Sequence, residues 1–495
     1  MQKNFCVDLD GTLINTDMLW ESFLYQIKKN PFVILFVFLW LLKGKAYLKQ
    51  KLADKFDFDP ELLPYNQEVI ELIKNRRKHG SKVYLVSASY ESIVKKIHDY
   101  FSGELFDGYY ATRGQTGIED QCSDCINLSS YNKAAFLNKV FGDKKYDYVG
   151  NSSDDIAVWN ECGRAYIFAG RKKSEKFTSS LKNQNYEVVG ESAGKNSCKG
   201  KNCLVRLVLK QIRIHQWTKN GLIFCSAFAV HAILPVGKYG ELIVAFISFC
   251  FLTSSVYIIN DLLDLWNDRA HEKKKNRPLA SGNLSIPSGI MIAVLCILLS
   301  SALSLFLSVK FFLFEIIYFA VNLFYSIRLK NIVALDCVLL ACMYTYRIFL
   351  GCVASELDYS LWLFSFAVFL FLSLALIKRY IELYNLQKKG IQSIAGRAYT
   401  VSDIPIISAM YVSFGTLSVL VFAMYLNSEE IRNSFSSIWY AYSSLIFILY
   451  WMIYLFIKTA RGEIDDDPVL FVLKDKVSLF LGFVFVLLFC LGAVL

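Results

Sequence analysis

The stretch Asn260-Asp261-Leu262-Leu263-Asp264-Leu265-Trp266-Asn267-Asp268-Arg269-Ala270-His271-Glu272-Lys273-Lys274-Lys275-Asn276-Arg277-Pro278 closes a long apolar run and opens a basic one. Asp261, Asp264 and Asp268 stand three and four residues apart. On a helix, that spacing puts all three carboxylates on one face. Like charges stacked this way repel unless a cation lies among them. Mg²⁺ bound together with a substrate diphosphate meets the need, because Mg²⁺ takes one or two carboxylates plus phosphate oxygens. Asn260 adds a polar neighbour, and Lys274 and Arg277 follow to meet the remaining phosphate charge. The bland alternative is a solvated charged loop. Ionisable residues at the end of a membrane span argue against it.

Working outward, the 495-residue chain is 55% hydrophobic and has only 8 prolines. A soluble domain is roughly 45–50% apolar. The excess lies almost wholly after residue 200. That excludes a purely soluble enzyme, a disordered chain, a collagen-like fibre and a disulfide scaffold. Fifty-three Lys and Arg against 43 Asp and Glu give a net charge of +10. In a membrane chain this reads as loop charge and not as a nucleic-acid footprint. About nine apolar stretches approach the ~20 residues a bilayer requires. They fall near 220–236, 239–259, 285–307, 311–327, 333–353, 359–377, 404–426, 438–457 and 477–495. Basic clusters at Arg206–Lys219, Arg269–Arg277 and Lys378–Arg397 flank them. The positive-inside rule puts these loops, and the N-terminal part with them, on the cytosolic side of a bacterial inner membrane. No secretory signal opens the chain. The 13 cysteines, an odd number and mostly within apolar runs, read as reduced thiols. Cys122 and Cys125, with Cys198 and Cys203, have only a loose zinc-like spacing.

Residues 3–189 alternate short β-type runs (5–7, 82–86, 146–149, 165–168) with amphipathic stretches (68–78, 90–101). That order implies a parallel sheet with helices on both faces. A Gly/Ser/Lys-rich linker, 190–202, separates it from the membrane part at 203–495. Val7-Asp8-Leu9-Asp10-Gly11-Thr12-Leu13 sits at the C-terminal end of the first strand, where open α/β sheets bind ligands. Two carboxylates one residue apart can divide phosphoryl transfer, one attacking phosphorus and the other moving protons. Together they can hold Mg²⁺. Ser87 ends a later strand, Lys133 opens a helical stretch, and Gly150-Asn151-Ser152-Ser153-Asp154-Asp155 follows a third strand.

These four pieces, in this order, resemble the haloacid dehalogenase-like (HAD) phosphatase superfamily. The resemblance implies a Rossmann-like α/β domain over 1–189 with Asp8 as nucleophile and Asp10 as acid/base. It further implies Ser87 and Lys133 as phosphate ligands and Asp155, with Asp8 and Asp10, at a Mg²⁺ site. Asn151 departs from the pattern, since many members carry Asp there. The insertion at about 16–81 corresponds to a helical cap. Within it, 31–42 reads PFVILFVFLWLL, too short to span a bilayer. A buried core helix is one reading. An interfacial segment flanked by Lys28, Lys29, Lys43 and Lys45 is the other, favoured because the rest of the chain is in the membrane.

The 260–278 string resembles the first signature of the UbiA superfamily of intramembrane prenyltransferases. Gln216-Trp217-Thr218-Lys219-Asn220, Tyr325-Ser326-Ile327-Arg328-Leu329-Lys330 and Asp336 support the likeness. It implies an all-α polytopic domain with a metal site at Asp261, Asp264 and Asp268. Usual members carry a second aspartate-rich helix where this chain reads Lys378-Arg379-Tyr380-Ile381-Glu382-Leu383. That exchange of acid for base is similar to the polyprenyl-phosphate phosphoribosyltransferase branch. The resemblance then implies 5-phosphoribosyl diphosphate as donor, a polyprenyl phosphate as acceptor, and a HAD domain that removes the product's 5-phosphate. Asn260, Lys274, Arg277, Lys330, Lys378, Arg379 and Glu382 would bind substrate. The alternative is transfer of a prenyl group to an aromatic acceptor beside a regulatory HAD domain.

Overall fold

The structure is a computed structural model, and it describes residues 4–101, 103–113, 127–189, 201–229, 235–357, 360–392, 398–428, 437–464 and 467–494. Cys122, Cys125, Cys198, Arg397 and most of the 190–202 linker lie outside these. The chain forms two compact units, Met1–Ile212 with Tyr257–Ala293, and Arg213–Val256 with Val294–Leu495.

The first unit is built on β1 (Asn4–Val7), α1 (Met18–Lys29), α2 (Val33–Leu42), α3 (Lys45–Ala53), α4 (Gln67–Lys78), β2 (Lys82–Tyr90), α5 (Glu91–Tyr100), β3 (Gly108–Thr112), α6 (Ser130–Phe141), β4 (Tyr146–Gly150), α7 (Ile156–Glu161), β5 (Ala165–Phe168), α8 (Arg171–Ser180), β6 (Tyr186–Val189) and α9 (Lys201–Ile212). Its six strands are all parallel, in the order β3-β2-β1-β4-β5-β6. Strand alternation builds two separate cores, because successive side chains face opposite ways. Phe5, Val7, Val83 and Leu85 pack with Val69, Ile73 and Ile97 on one face. Cys6, Val86, Tyr146 and Tyr148 pack with Leu137 and Trp159 on the other. The four strands expected from sequence are present. β3 and β6 were not expected; both are short, and β6 is half exposed, so neither has the continuous apolar run of a central strand.

α1 to α4 fill the expected cap interval. Asp17 caps α1 by accepting from the Leu19 and Trp20 amides. The core reading of 31–42 is corrected: in α2 only Val33 is buried.

The acidic stretch departs from the expected domain boundary. Tyr257–Ala293 folds with the N-terminal unit. Leu24 joins Ile258, Leu262, Leu265, Leu279 and Ala280 in one apolar cluster, and Trp266 packs against Phe56 and Phe58. The Arg269 guanidinium meets the Glu21 carboxylate at 2.6 Å, both side chains nearly inaccessible. Arg269 also donates to the Ala280 carbonyl, and the Thr16 hydroxyl donates to Glu21. At Gly282, with φ +74°, an added Cβ would stand 2.4 Å from the Asn15 carbonyl oxygen. Only glycine permits that approach.

The second unit is helical: α10 (Cys225–Ala229), α11 (Val236–Leu263, whose last turns belong to the first unit), then, past the first unit's α12 (Leu265–Ala270), α13 (Ile286–Leu307, whose first turns belong to the first unit), α14 (Val309–Ile327), α15 (Leu335–Ser355), α16 (Leu361–Lys388), α17 (Ile404–Leu426), and further helices at Ile438–Ala460, Pro468–Val472 and Lys476–Val494. Among the described residues seven helices are long and apolar enough to cross a membrane. The expected nine is not confirmed among them. The first expected span is a 3₁₀ segment, Ile214–Phe224, followed by the short α10, and 230–234 lie outside the described residues. In the last helix the apolar stretch Lys476–Gly492 is shorter than the seven spans. Nine of the cysteines among the described residues, from Cys6 to Cys490, are free thiols.

Removing one partner of a buried ion pair costs about 3–5 kcal/mol, whereas replacing both by apolar groups is often neutral. Arg269→Met should therefore lower the unfolding temperature of the N-terminal unit sharply. Glu21→Leu combined with Arg269→Met should recover most of the loss. Thermal unfolding of the detergent-solubilised protein checks both, and equal losses in single and double variants would contradict the assignment.

Candidate functional sites

The first site lies at the C-terminal ends of β1, β2 and β4. The Lys133 ammonium bridges Asp8 at 2.8 Å and approaches Asp155 at 3.8 Å, with all three side chains at least nine-tenths buried. Tyr148 accepts from Lys133 and donates to Asp155. Burial raises the Asp8 carboxyl to about 7, with Asp155 and Asp10 adding to the shift against the pull of Lys133. For Lys133, burial works against the charge, but Asp8 and Asp155 outweigh it and hold the ammonium above its ordinary value. Asp10 accepts from the Met18 amide at 2.8 Å and from the hydroxyls of Ser87 at 3.2 Å and Ser89 at 2.7 Å. Asp8, Asp10, Ser87, Lys133 and Asp155 therefore converge.

Asn151 has a structural reason. Its amide nitrogen donates to the Gly11 carbonyl at 2.8 Å, tying the β4 loop to the Asp8–Asp10 loop. A carboxylate cannot make that bond. Gly11, at φ +73°, leaves room for it: an added Cβ would lie 2.2 Å from the Asn151 nitrogen.

Two participants were missed from sequence. Ser89 escaped because Ser87 had already filled the hydroxyl role. Lys49 comes from the cap and donates to the Ala88 carbonyl and to Asn127. Burial lowers its ammonium, while Asp10 and Asp17 pull the other way. No local motif marks a lysine that reaches the site through tertiary packing.

The second site is the acidic face. Asp261 and Asp264 lie at the C-terminal end of α11 and beyond it, and Asp268 on α12. The Arg277 guanidinium reaches Asp261 at 3.0 Å and Asp268 at 2.5 Å. Gln211 donates to Asp261, and Lys28 from α1 holds Asp264 at 2.8 Å. Burial raises the Asp268 carboxyl, Asp261 adds to the shift, and Arg277 and Lys274 oppose it. Lys274 is exposed on a 3₁₀ turn.

Among the described residues, no three His, Cys, Asp or Glu side chains are arranged as a metal cage. Mg²⁺ does not ask for one, because substrate phosphates and water complete its shell. Asn260 Oδ1 is buried without a partner, immediately before Asp261. A neutral oxygen with neighbouring carboxylates is a donor set that suits Mg²⁺.

In the second unit the remaining expected residues form other groups. Arg379 and Asp336 pair at 2.6 Å with no exposed surface, Arg379 also pairs with Glu382, and Tyr399 donates to Asp336. This Arg379 guanidinium is already committed to carboxylates. Lys219 reaches Asp467 at 2.5 Å, and Lys219 and Lys378 outweigh burial to hold the Asp467 carboxyl below its usual range. Lys330 is half-buried within a 3₁₀ turn, Leu329–Asn331. Arg347, missed from sequence, is buried in α15 against Asn220, the Met343 carbonyl and the Tyr318 hydroxyl, over the Tyr344 ring. Its signal was legible: an arginine in the middle of an apolar run.

The UbiA prenyltransferase family model matches residues 221–484. The chain belongs to this family. Among its relatives, the uncharacterized protein y4nM of Sinorhizobium fredii is 32% identical over 482 residues, 96% of this chain and 88% of its own length. That likeness therefore includes the N-terminal sheet domain. Nodulation protein NoeC of Azorhizobium caulinodans is 29% identical over 56% of this chain and 92% of its own. A decaprenyl-phosphate phosphoribosyltransferase of Mycolicibacterium smegmatis is 28% identical over 55% of this chain and 88% of its own. Among solved structures, a UbiA homolog from Archaeoglobus fulgidus bound to GPP and Mg²⁺ aligns with TM-score 0.44 and 18% identity, covering 58% of this chain and 98% of that one. A probable phosphoserine phosphatase from Vibrio cholerae aligns with TM-score 0.25 and 16% identity, covering 37% and 60%. As a UbiA family member, the protein is a membrane transferase.

The Asn151 bond gives a prediction. Asn151→Asp sets a carboxylate against the Gly11 carbonyl and loses a part-buried hydrogen bond, a change of about 1–3 kcal/mol. Its unfolding temperature should fall in EDTA and recover on adding Mg²⁺ by more than the wild type gains. A variant as stable as wild type in EDTA would contradict the role of that bond.

Proposed function

We propose that the protein transfers 5-phosphoribose from phosphoribosyl diphosphate to a polyprenyl phosphate, and that its N-terminal domain then removes the 5-phosphate from the lipid product. The observation that carries this reading is the acidic face bridged by Arg277, because three carboxylates beside a basic loop suit a metal-bound diphosphate. The names of the mycobacterial and corynebacterial relatives support the choice of donor.

Asp261, Asp264 and Asp268 would hold Mg²⁺, which when bound supplies Lewis-acid stabilisation of a diphosphate leaving group. Lys274 and Arg277 bind the diphosphate oxygens, Arg277 moving from carboxylate to phosphate. Asn260 positions the acidic face. Oxygen of the lipid phosphate, already an anion, attacks ribose C1. The C1–oxygen bond to diphosphate breaks and its electron pair leaves with diphosphate, so no base is required. Lys330 and Lys378, in the second unit, are candidates to bind a substrate phosphate. Arg379 and Glu382 act through each other, fixing the end of α16. A cavity of about 230 Å³ lined by side chains such as Leu222, Ile348, Phe371, Phe422 and Phe489 suits the polyprenyl tail.

In the N-terminal domain, Asp8 attacks the 5-phosphorus while Lys133 and Ser87 hold the phosphoryl oxygens. Asp10 protonates the departing ribose oxygen and afterwards takes a proton from the water that releases phosphate. Asp8, Asp10 and Asp155 offer hard oxygens to a second Mg²⁺. Tethering raises the effective concentration of the second site for the first site's product. In this reading the domain and the basic loops face the cytosol of a bacterial inner membrane.

Two variants separate the chemistries. Asp261→Asn should reduce transfer to lipid at least a hundredfold with little loss of fold. Asp8→Asn should leave transfer intact and make phosphorylated lipid accumulate. Thin-layer analysis of the lipid products checks both. Near-normal transfer by Asp261→Asn, or undiminished phosphate release by Asp8→Asn, would overturn the corresponding assignment.

A further inference from the structure

We propose that α2 is a monotopic membrane anchor, which lies in the acyl region of one leaflet and fastens the N-terminal domain to the bilayer. α2 reads VILFVFLWLL, ten residues without a single polar side chain. A helix that packs one face on a domain keeps polar residues on the other. Here Val33, Val37 and Trp40 on one face are buried or half-buried, and the rest of the helix is exposed yet equally apolar. Phe32, Leu35, Phe38 and Leu42 are each about 70% exposed, and Ile34, Phe36, Leu39 and Leu41 about half exposed. An isolated apolar patch of this size is not left to water in a soluble domain.

The charges around α2 identify its occupant. Lys28 and Lys29 precede it, and Lys43 and Lys45 follow it. No acidic residue lies between Lys28 and Lys51. Apolar residues framed by lysines match anionic lipid headgroups around a hydrocarbon interior. A protein partner would instead be expected to leave one face of the helix polar. Length agrees: ten residues rise about 15 Å, half the hydrocarbon thickness and too short to cross it. α2 therefore enters and stays in one leaflet. Among the described residues the same chain carries seven bilayer-length helices, so the protein that bears α2 is itself held in a membrane. The inference stands apart from the proposed reaction, since it rests on exposure and charge alone.

The test uses the full chain reconstituted into nanodiscs of phosphatidylcholine and phosphatidylglycerol. One preparation carries the photo-crosslinker p-benzoylphenylalanine in place of Phe38. A second carries it in place of Tyr131, a soluble-helix residue that is 79% exposed. After irradiation, intact-mass and peptide mass spectrometry identify the adducts. Lipid adducts at position 38 at least fivefold more abundant than at position 131 are expected. Covalent dimers through position 38 would show that a second copy covers the helix. Equal, low lipid labelling at both positions would show that α2 stays out of the bilayer. Either result overturns the proposal.

Discussion

A carboxylate taken out of water needs a cation or hydrogen-bond donors beside it, and that constraint organises the candidate sites of this protein. Three pairs of carboxylates each gather around one cation. Asp8 and Asp155 share Lys133. Asp261 and Asp268 share Arg277. Asp336 and Glu382 share Arg379. In each the carboxylates outnumber the cation, and in the first two burial holds Asp8 and Asp268 above the ordinary carboxylate range. A divalent ion arriving with phosphate would relieve those two. In the third, Arg379 and Asp336 are sealed from solvent and act as a fastening between α15 and α16.

The same constraint ties the acidic stretch to the N-terminal domain. Glu21 exists in its buried position because Arg269 meets it, and Lys28 takes Asp264. Thr16, which donates to Glu21, accepts from the Gly11 amide in the Asp8–Asp10 loop. A continuous path of hydrogen bonds thus leads from the loop of one candidate site to the residue next to Asp268. In the relative y4nM the likeness extends over both parts. The arrangement gives a physical reason for joining a sheet domain to a membrane transferase in one chain.

Much of this was legible in the sequence because it is local. The Asp8–Asp10 pair follows a β run, and Asp261, Asp264 and Asp268 repeat at helical spacing. Four of six strands have the apolar runs of central strands. What escaped is non-local. The Glu21–Arg269 pair spans 248 residues, and no spacing rule reaches across them. Lys49 looks like any cap lysine until α3 brings it to the end of β2. Asn151 read as a defect, and only the Gly11 contact shows what its amide does. The expected span at 220–236 is apolar, but its described part forms a 3₁₀ segment and a short helix, which composition does not distinguish from a transmembrane α-helix. Arg347 is a different case: an unusual residue in an apolar run was visible and was passed over.

The central claim is that one chain performs glycosyl transfer to a lipid phosphate followed by loss of the sugar's 5-phosphate. It is tested most directly with phosphoribosyl diphosphate labelled with radiocarbon in the ribose and radiophosphorus in the 5-phosphate. The purified protein is incubated with this donor, polyprenyl phosphate and Mg²⁺. The account predicts that radiocarbon enters the organic phase while radiophosphorus returns to the aqueous phase as inorganic phosphate. No radiocarbon in the organic phase would contradict it, and both labels remaining together in the lipid would contradict the role assigned to the N-terminal domain.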